Sequence, residues 1–476
     1  MNILIVGNGF DLSHYLPTKY DHFMVAMDAI ENWDESQGDM RFDDLFGKDY
    51  WHKNDKTGEE WQNSFFQHTK AMYKTDEIKI SVDQVKELKA QLKENVWYQY
   101  FSDHVREVKT WIDFENKIED ALDSVSELFQ QISDYYLGHD VLSCEVSPIN
   151  FKKQKFFGEV ISLSERVCQL LCLLNLIHKK KDNIKKGDYS FDDDNSNFFT
   201  YFIVNENVKK FTNYDVYDQN KALERLNDEL ASFIEIFNKY IILIDIMELD
   251  VKFCKLPILI DKVYSFNYTN TFGRFYDLTD SQFLHGKSGL TQNIVLGISD
   301  LKNEYLKKLK AYGFTKYHQK IFKNTNYKFL YENLAKINEI IENIEFWSNS
   351  TIADTWKNSE QISSDQHTIH LLRNELKEIK GCIYIWGHSL DISDENYIKE
   401  IFSVNFEKHK NFEIVIYSFS QQAYFDHLCN LLHILGKEKV ELWMKKGWLK
   451  FEKNPDIAEI NGIKPVDLPK IIAKAS

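Results

Sequence analysis

Four short segments carry residue types that could do chemistry at one site. Gly7-Asn8-Gly9-Phe10-Asp11 follows the apolar run Ile3–Val6. Glycines there let a strand-to-helix turn present its N–H groups, which is how such a loop takes a phosphate or pyrophosphate. Leu12 stands where a full G-x-G-x-x-G would have its last glycine, so a plain tight turn is the competing reading. Ser265-Phe266-Asn267-Tyr268-Thr269-Asn270 ends a second apolar run. Asn267 offers a donor and an acceptor together, suited to a ribose hydroxyl or a water; an asparagine closing a turn is the bland alternative. Leu284-His285-Gly286 supplies a histidine whose reference pKa of about 6.5 suits a general base, although a lone histidine is more often structural. Trp386-Gly387-His388-Ser389-Leu390-Asp391 ends a third run, with Asp394 close behind as a helix N-cap or a ligand group.

Rival patterns are weaker. Gly387–Asp391 imitates the nucleophile elbow of serine hydrolases, but Asp391 fills the place of its second glycine. A triad would need an Asp and a His downstream; Asp394 and His427 exist, but nothing marks them. Asp113 and Glu115, two apart, point to different sides of a helix; Trp111 and Glu115 share one, so Glu115 can reach a site from a helical cap. His367-x-x-His370 lacks an acidic partner at ligand spacing and reads as an exposed helical face. Asp192–Asp194 lacks the alternating acids, glycine and glutamate of a calcium loop. The 6 cysteines form no C-x-x-C, which excludes a four-cysteine zinc ribbon and fits a reducing compartment. Cys168 and Cys172 read as core packing. No metal is expected.

The elements that must hold these loops follow from patterning. Asn2–Val6, Lys262–Phe266, Cys382–Trp386 and Phe412–Tyr417 are apolar on consecutive positions, as buried parallel strands are, with Ile294–Leu296 a weaker fifth. Helical periods run through Val82–Phe101, Glu115–Tyr136, Phe157–Ile177 and Ala222–Leu249, and a second helical block spans 301–380. His178–Asn197 reads as a charged surface loop. The simplest topology is one open α/β sheet with two helical insertions. Its core comprises 1–30, 256–300 and 380–476, and its insertions are 31–255 and 301–379. With 58 Lys and Arg against 73 Asp and Glu, the net charge of −15 argues against bulk nucleic-acid coating or an anionic membrane surface. No basic leader precedes the first strand and no apolar run is long enough to span a bilayer, so a cytoplasmic protein is expected.

The opening Ile3–Leu12, followed by Leu16-Pro17-Thr18-Lys19-Tyr20-Asp21-His22-Phe23, resembles the N-terminal signature of the AbiH family of bacteriophage abortive-infection proteins. The same family pattern is matched in order by Trp111-Ile112-Asp113-Phe114-Glu115, Ser265–Asn270, Leu284–Gly286 and Gly387–Leu390 with Asp394 and Tyr397. The set is also similar to the NAD-binding core of SIR2-like proteins. That resemblance implies an open, mainly parallel Rossmann-like (SIR2/DHS-like) sheet and NAD+, or a related nucleotide, as ligand. It gives Asn267 and His285 catalytic roles. Gly7, Asn8, Gly9, Phe10 and Asp11 would hold the dinucleotide, and Thr18 and Tyr20 would lie in the segment over the nicotinamide. Gly286, Gly387, His388, Ser389 and Asp394 would complete the pocket. The zinc cysteines of SIR2 deacylases are missing, which leaves NAD+ hydrolysis rather than deacylation as the implied reaction. A nucleotide-binding sensor without turnover is the alternative. A phage-derived trigger, a partner protein and a homo-oligomer are the partners implied by an abortive effector.

Overall fold

Runs that are apolar on consecutive positions build the middle of the sheet, because a strand covered on both sides needs apolar side chains on both. The computed structural model describes residues 1–103, 110–138, 162–181, 199–203, 208–210, 215–250, 256, 258–276, 281–325, 328–353, 359–405 and 411–470. Within them β1 (Asn2–Val6), β2 (Lys262–Ser265), β3 (Ser281–Phe283), β4 (Gly381–Trp386), β5 (Phe412–Ser418) and β6 (Leu449–Lys453) form one sheet. Its order is β3-β2-β1-β4-β5-β6 and every neighbouring pair is parallel. Strand order reverses between β1 and β4, the position at which open α/β sheets leave a crevice beyond their carboxyl ends. Register sets Val6 level with Ser265 and Trp386, and Ser265 level with Phe283. The four loops that follow β1 to β4 therefore leave one edge together.

Ile3, Ile5, Ile383, Ile385, Ile414 and Ile416 cover one face and pack with Ile337, Leu376, Ile398 and Leu431. These come from helices Tyr331–Ala353 and Ser359–Glu378, from α5 (Glu395–Ile401) and from α6 (Gln421–Leu435). Leu4, Val6, Val263, Trp386 and Val415 cover the other face against Phe10, Phe272 and Ile457. Phe10 belongs to α1 (Asn8–Ser13), which starts directly after β1. A separate, larger core holds α2 (Trp111–Gly138) and α3 (Gln219–Asp245) together with helix Tyr20–Glu31. Phe23, Phe114, Phe233 and Phe237 interlock there, with ring centroids 5.3–5.7 Å apart for the pairs Phe23–Phe233, Phe23–Phe237, Phe114–Phe233 and Phe101–Phe233.

Three expectations need correcting. Ile294–Leu296 is buried but is no strand: Val295 N–H donates to His285 O and Leu296 N–H to the Gln319 side chain, so the segment threads past the sheet without pairing. The outer strands β3 and β6 carry no such signal in the sequence, because an edge strand needs no continuous apolar run; β6 alternates, Leu449-Lys450-Phe451-Glu452. Val82–Phe101 is two helices, Val82–Glu94 and Val96–Asp103, with Asn95 between them capping Tyr98 N–H and donating to Glu229 O. His178–Lys181 is strand, paired with Phe199–Ile203. The acidic run Asp192–Asp194 lies outside the described residues. Among the described residues no helix is long and apolar enough to cross a membrane.

Candidate functional site

The glycines after β1 and β4 bring two backbones into contact. Gly7 N–H donates to Trp386 O at 3.1 Å, Gly9 N–H to Gly387 O at 2.8 Å, and Phe10 N–H back to Gly7 O at 2.8 Å. A Cβ on Gly387, whose φ is +74°, would stand 2.1 Å from Phe10 N, and one on Gly7 would stand 2.6 Å from the His388 Cα. The Gly7 and Gly9 amides, expected to face a pyrophosphate, are therefore committed to the neighbouring strand end, and the Phe10 amide to its own loop. What the glycines secure is the close approach of β1 and β4 where the sheet order reverses.

Asp11, on α1, is almost fully buried. Its two oxygens accept from Thr269 Oγ1 and Thr271 Oγ1, both at 2.6 Å, so the carboxyl pins the loop after β2 to α1. Burial raises its pKa to about 7 against the opposing pull of those threonines. Asn267 lies beside it and donates from Nδ2 to Gly7 O at 2.9 Å, tying the same loop to β1. The cavity between Asp11, Ser265, Asn267, Thr269 and Ser281 has a volume of about 10 Å³, room for one water. Asn8 accepts from Thr18 Oγ1 at 2.7 Å, and Trp111 Nε1 donates to Thr18 O at 3.2 Å. Phe10 lines that same small cavity and packs edge-on against Trp386, while Tyr20 packs edge-on against Trp111.

The other side of the loop after β2 meets a cluster of buried ionisable groups. Phe266 packs edge-on to His285 and His388, with centroids 5.1 and 4.2 Å away. Asp394 lies between the two histidines, Oδ1 3.5 Å from His285 Nε2 and Oδ2 3.3 Å from His388 Nε2. Leu390 N–H donates to His388 Nδ1, so neutral His388 carries its proton on Nε2, facing Asp394. Gly286, at φ +81°, turns the chain after His285 so tightly that a Cβ would fall 2.0 Å from Asn293 O. From the larger core α2 contributes Glu115, and α4 (Lys316–Phe322) contributes Lys316 and Lys320. Lys316 Nζ meets Glu115 Oε1 at 2.5 Å, and Lys320 Nζ donates to Tyr397 Oη at 2.8 Å.

Burial dominates the titration of this cluster. It lowers His285 to about 3, with Lys320 adding to the effect, so the ring is neutral at physiological pH rather than poised at its reference value. Glu115 is pushed up to about 7 by burial, and Lys320 down to about 8 by the same cause. Asp394 stays well below the carboxylate range: the Lys316 charge and the two histidines outweigh its burial. Glu115 Oε2 and His285 Nε2 are both buried with no hydrogen-bond partner.

The serine-hydrolase rival finds no triad geometry, and His367-x-x-His370 is the exposed helical face its spacing suggested. Ser389 is exposed, its carbonyl accepts from Asn430 Nδ2, and among the described residues its hydroxyl meets no histidine. Ser418, not Ser389, contacts His427, at 3.1 Å. Sequence reasoning missed Lys316 and Lys320, because their helix is inverted: the lysines point inward while Tyr317 and Phe322 are 71% and 82% exposed. Four-residue spacing placed the lysines on one face; nothing in the sequence said which face was inside.

A family model described as bacteriophage abortive infection AbiH matches residues 3–418. The chain belongs to the AbiH family. No curated protein and no solved structure matches it. In this AbiH-family chain the segments that carried the resemblance, far apart in sequence, share two adjoining polar clusters. Asp11 and Asn267 lie in one, and Glu115, His285, His388, Asp394 and Tyr397 in the other.

The pH dependence of stability of this AbiH-family protein follows from its buried groups. His14 and His427 are lowered to about 4, and His22 and His285 to about 3, all by burial. Their folded values lie below the unfolded value of about 6.5, so their contribution is complete above it and is lost as pH falls toward 4. Asp11 and Glu115 have the opposite sign: raised to about 7, they contribute below their unfolded values and lose that contribution as pH rises through 7. Denaturant midpoints measured from pH 4 to 8 should peak between about pH 6 and 7, with the steeper fall on the acid side. A midpoint that rises steadily as pH falls from 6.5 to 4 would contradict the burial of these histidines.

Proposed function

We propose that this protein is an abortive-infection effector that binds NAD+ at the reversal of its sheet and hydrolyses the nicotinamide–ribose bond. The order β3-β2-β1-β4-β5-β6 is that of Rossmann-like folds, and the loop motifs are SIR2-like, which makes a dinucleotide the ligand class that best fits this edge. The observation that carries the reading is the meeting of the loops after β1, β2, β3 and β4 around two buried polar clusters. In the reaction, water oxygen bonds to the ribose C1′ as the C1′–N bond breaks. The bonding pair goes to the ring nitrogen, and neutral nicotinamide leaves. His285, kept neutral by burial, would take the proton from that water, and Asp394 would hold the resulting imidazolium. Asn267, anchored through Nδ2 to Gly7 O, would offer its carboxamide oxygen to a ribose hydroxyl.

Asn267, His285, His388 and Asp394 are all buried, and the cavity beside Asn267 takes only one water. In this reading the conformation is the silent one. The covering elements, α2 with Glu115 and α4 with its lysines, must shift before a dinucleotide can enter, and a phage component acting in the cytoplasm, directly or through a partner or a second copy, would shift them. The closed site and the weak basicity of His285 favour one alternative, a nucleotide sensor without turnover.

The test is nicotinamide release from NAD+ by purified protein, with and without extract of phage-infected cells. Release is expected on induction, and His285→Ala should lower it roughly 10²–10⁴-fold. Full turnover by His285→Ala would remove the proposed base. No release under any inducer, with NAD+ still bound, would establish the sensor.

A further inference from the structure

Two lysines face inward from α4, four residues apart, and they are not equivalently matched. Lys316 has a carboxylate at 2.5 Å in Glu115. Lys320 is 8% exposed, and the polar atom it meets is the neutral phenol oxygen of Tyr397. Among the described residues no carboxylate lies within 4.0 Å of its ammonium. A buried ammonium that no carboxylate contacts is costly to hold out of water, and is retained where something compensates it. Its neighbours point the same way. Glu115 Oε2 and His285 Nε2 are buried without partners, so the cluster has polar atoms the protein itself does not satisfy. The amides of Gly7, Gly9 and Phe10 at this edge are committed to backbone carbonyls.

We propose that Lys320, supported by Lys316, is the receptor for a phosphate-class anion of the ligand, placing the phosphate-binding function of this edge on α4 rather than on the glycine loop. The inference rests on the reading of this edge as a nucleotide site, and names the group that such a ligand must carry. The burial that lowers Lys320 to about 8 leaves it mostly protonated at neutral pH, and an arriving phosphate would raise it again. Asp394 and Glu115 both act electrostatically on Lys320, so a dianion would have to sit on the lysine side, while a ribose hydroxyl could donate to Glu115 Oε2. Because α4 also covers the cluster, anion binding and the position of α4 would be coupled.

The test is binding, independent of turnover. Inorganic pyrophosphate and ADP-ribose are titrated against the full chain by calorimetry and by thermal shift, with nicotinamide riboside as the ligand lacking a second phosphate-bearing half and any phosphate. Wild type should bind pyrophosphate and ADP-ribose under the inducing conditions of the release assay, in which α2 and α4 have shifted. Lys320→Met should weaken both at least tenfold, Lys320→Arg should retain binding within threefold, and the affinity for nicotinamide riboside should be the same in all three. The melting temperature of unliganded Lys320→Met should not fall, because the substitution removes a buried ammonium that no carboxylate contacts within 4.0 Å. Equal pyrophosphate affinity in wild type and Lys320→Met, or none in induced wild type, would overturn the assignment. So would a Lys320→Met variant whose only change is a lower melting temperature. Loss of ADP-ribose binding in Lys320→Met without any nicotinamide release by wild type would uphold the phosphate receptor and reject the hydrolase.

Discussion

Gly387→Ala should abolish folding or cost the protein at least about 3 kcal/mol, because it combines two separate penalties at one position. The first is conformational: φ at Gly387 is +74°, where an L side chain is strained by about 1–2 kcal/mol. The second is steric. The new Cβ would stand 2.1 Å from Phe10 N and 2.3 Å from the Gly9 carbonyl carbon, backbone atoms that cannot rotate aside. Relief requires β1 and β4 to separate at their carboxyl ends, and that breaks the Gly9 N–H bond to Gly387 O. Gly462→Ala separates the terms: its φ is +68° but nothing lies within 4 Å of the added Cβ, so it should lose only about 1 kcal/mol. Chemical denaturation of both variants decides the matter. Equal losses would mean that the two strand ends are not in contact as described.

Asp394→Ala carries the second large expected effect, a loss of about 3–5 kcal/mol together with any turnover. Its carboxylate lies within 3.5 Å of two histidines and is held ionised chiefly by Lys316. Removal leaves His388 Nε2–H without its acceptor and the two lysines of α4 facing one carboxyl, Glu115, whose own charge burial disfavours. Asp394→Asn keeps the shape and loses the charge, so it isolates the electrostatic part. Adding Lys320→Met to Asp394→Asn should recover part of that loss, because excess positive charge is what remains. A coupling of about 1 kcal/mol or more in the double-mutant cycle is expected. Strict additivity would show that Lys320 and Asp394 do not share one field.

Both experiments probe contacts between loops that are distant in sequence. Patterning alone established the central strands. Asn2–Val6 had to be covered on both sides because apolar residues fill consecutive positions, and the same argument held for β4 and β5. The glycine, asparagine and histidine segments were legible as strand-end loops for the same reason: each follows such a run. Edge strands were not legible, since a strand with one partner tolerates alternation, as β6 does.

Tertiary packing decided what those loops do. The sequence of Gly7–Gly9 is compatible with cradling a phosphate and with a backbone contact, and only the position of Gly387 selects the second in this conformation. A carboxyl such as Asp11 could as well have faced solvent; two threonines that follow β2 and the burial around them turned it into a clamp titrating near neutrality. His285 has a mid-range pKa as a residue type, yet the low-dielectric surroundings and nearby lysines remove its charge. Lys316 and Lys320 could not be recognised in advance, because helical spacing fixes which residues share a face but not which face turns inward. The chain thus specifies its sheet locally, through patterns read over a few residues. Its electrostatics depend on burial and on charges brought together from residues 11, 115, 267, 285, 320 and 394, and these exist only once the fold has closed around them.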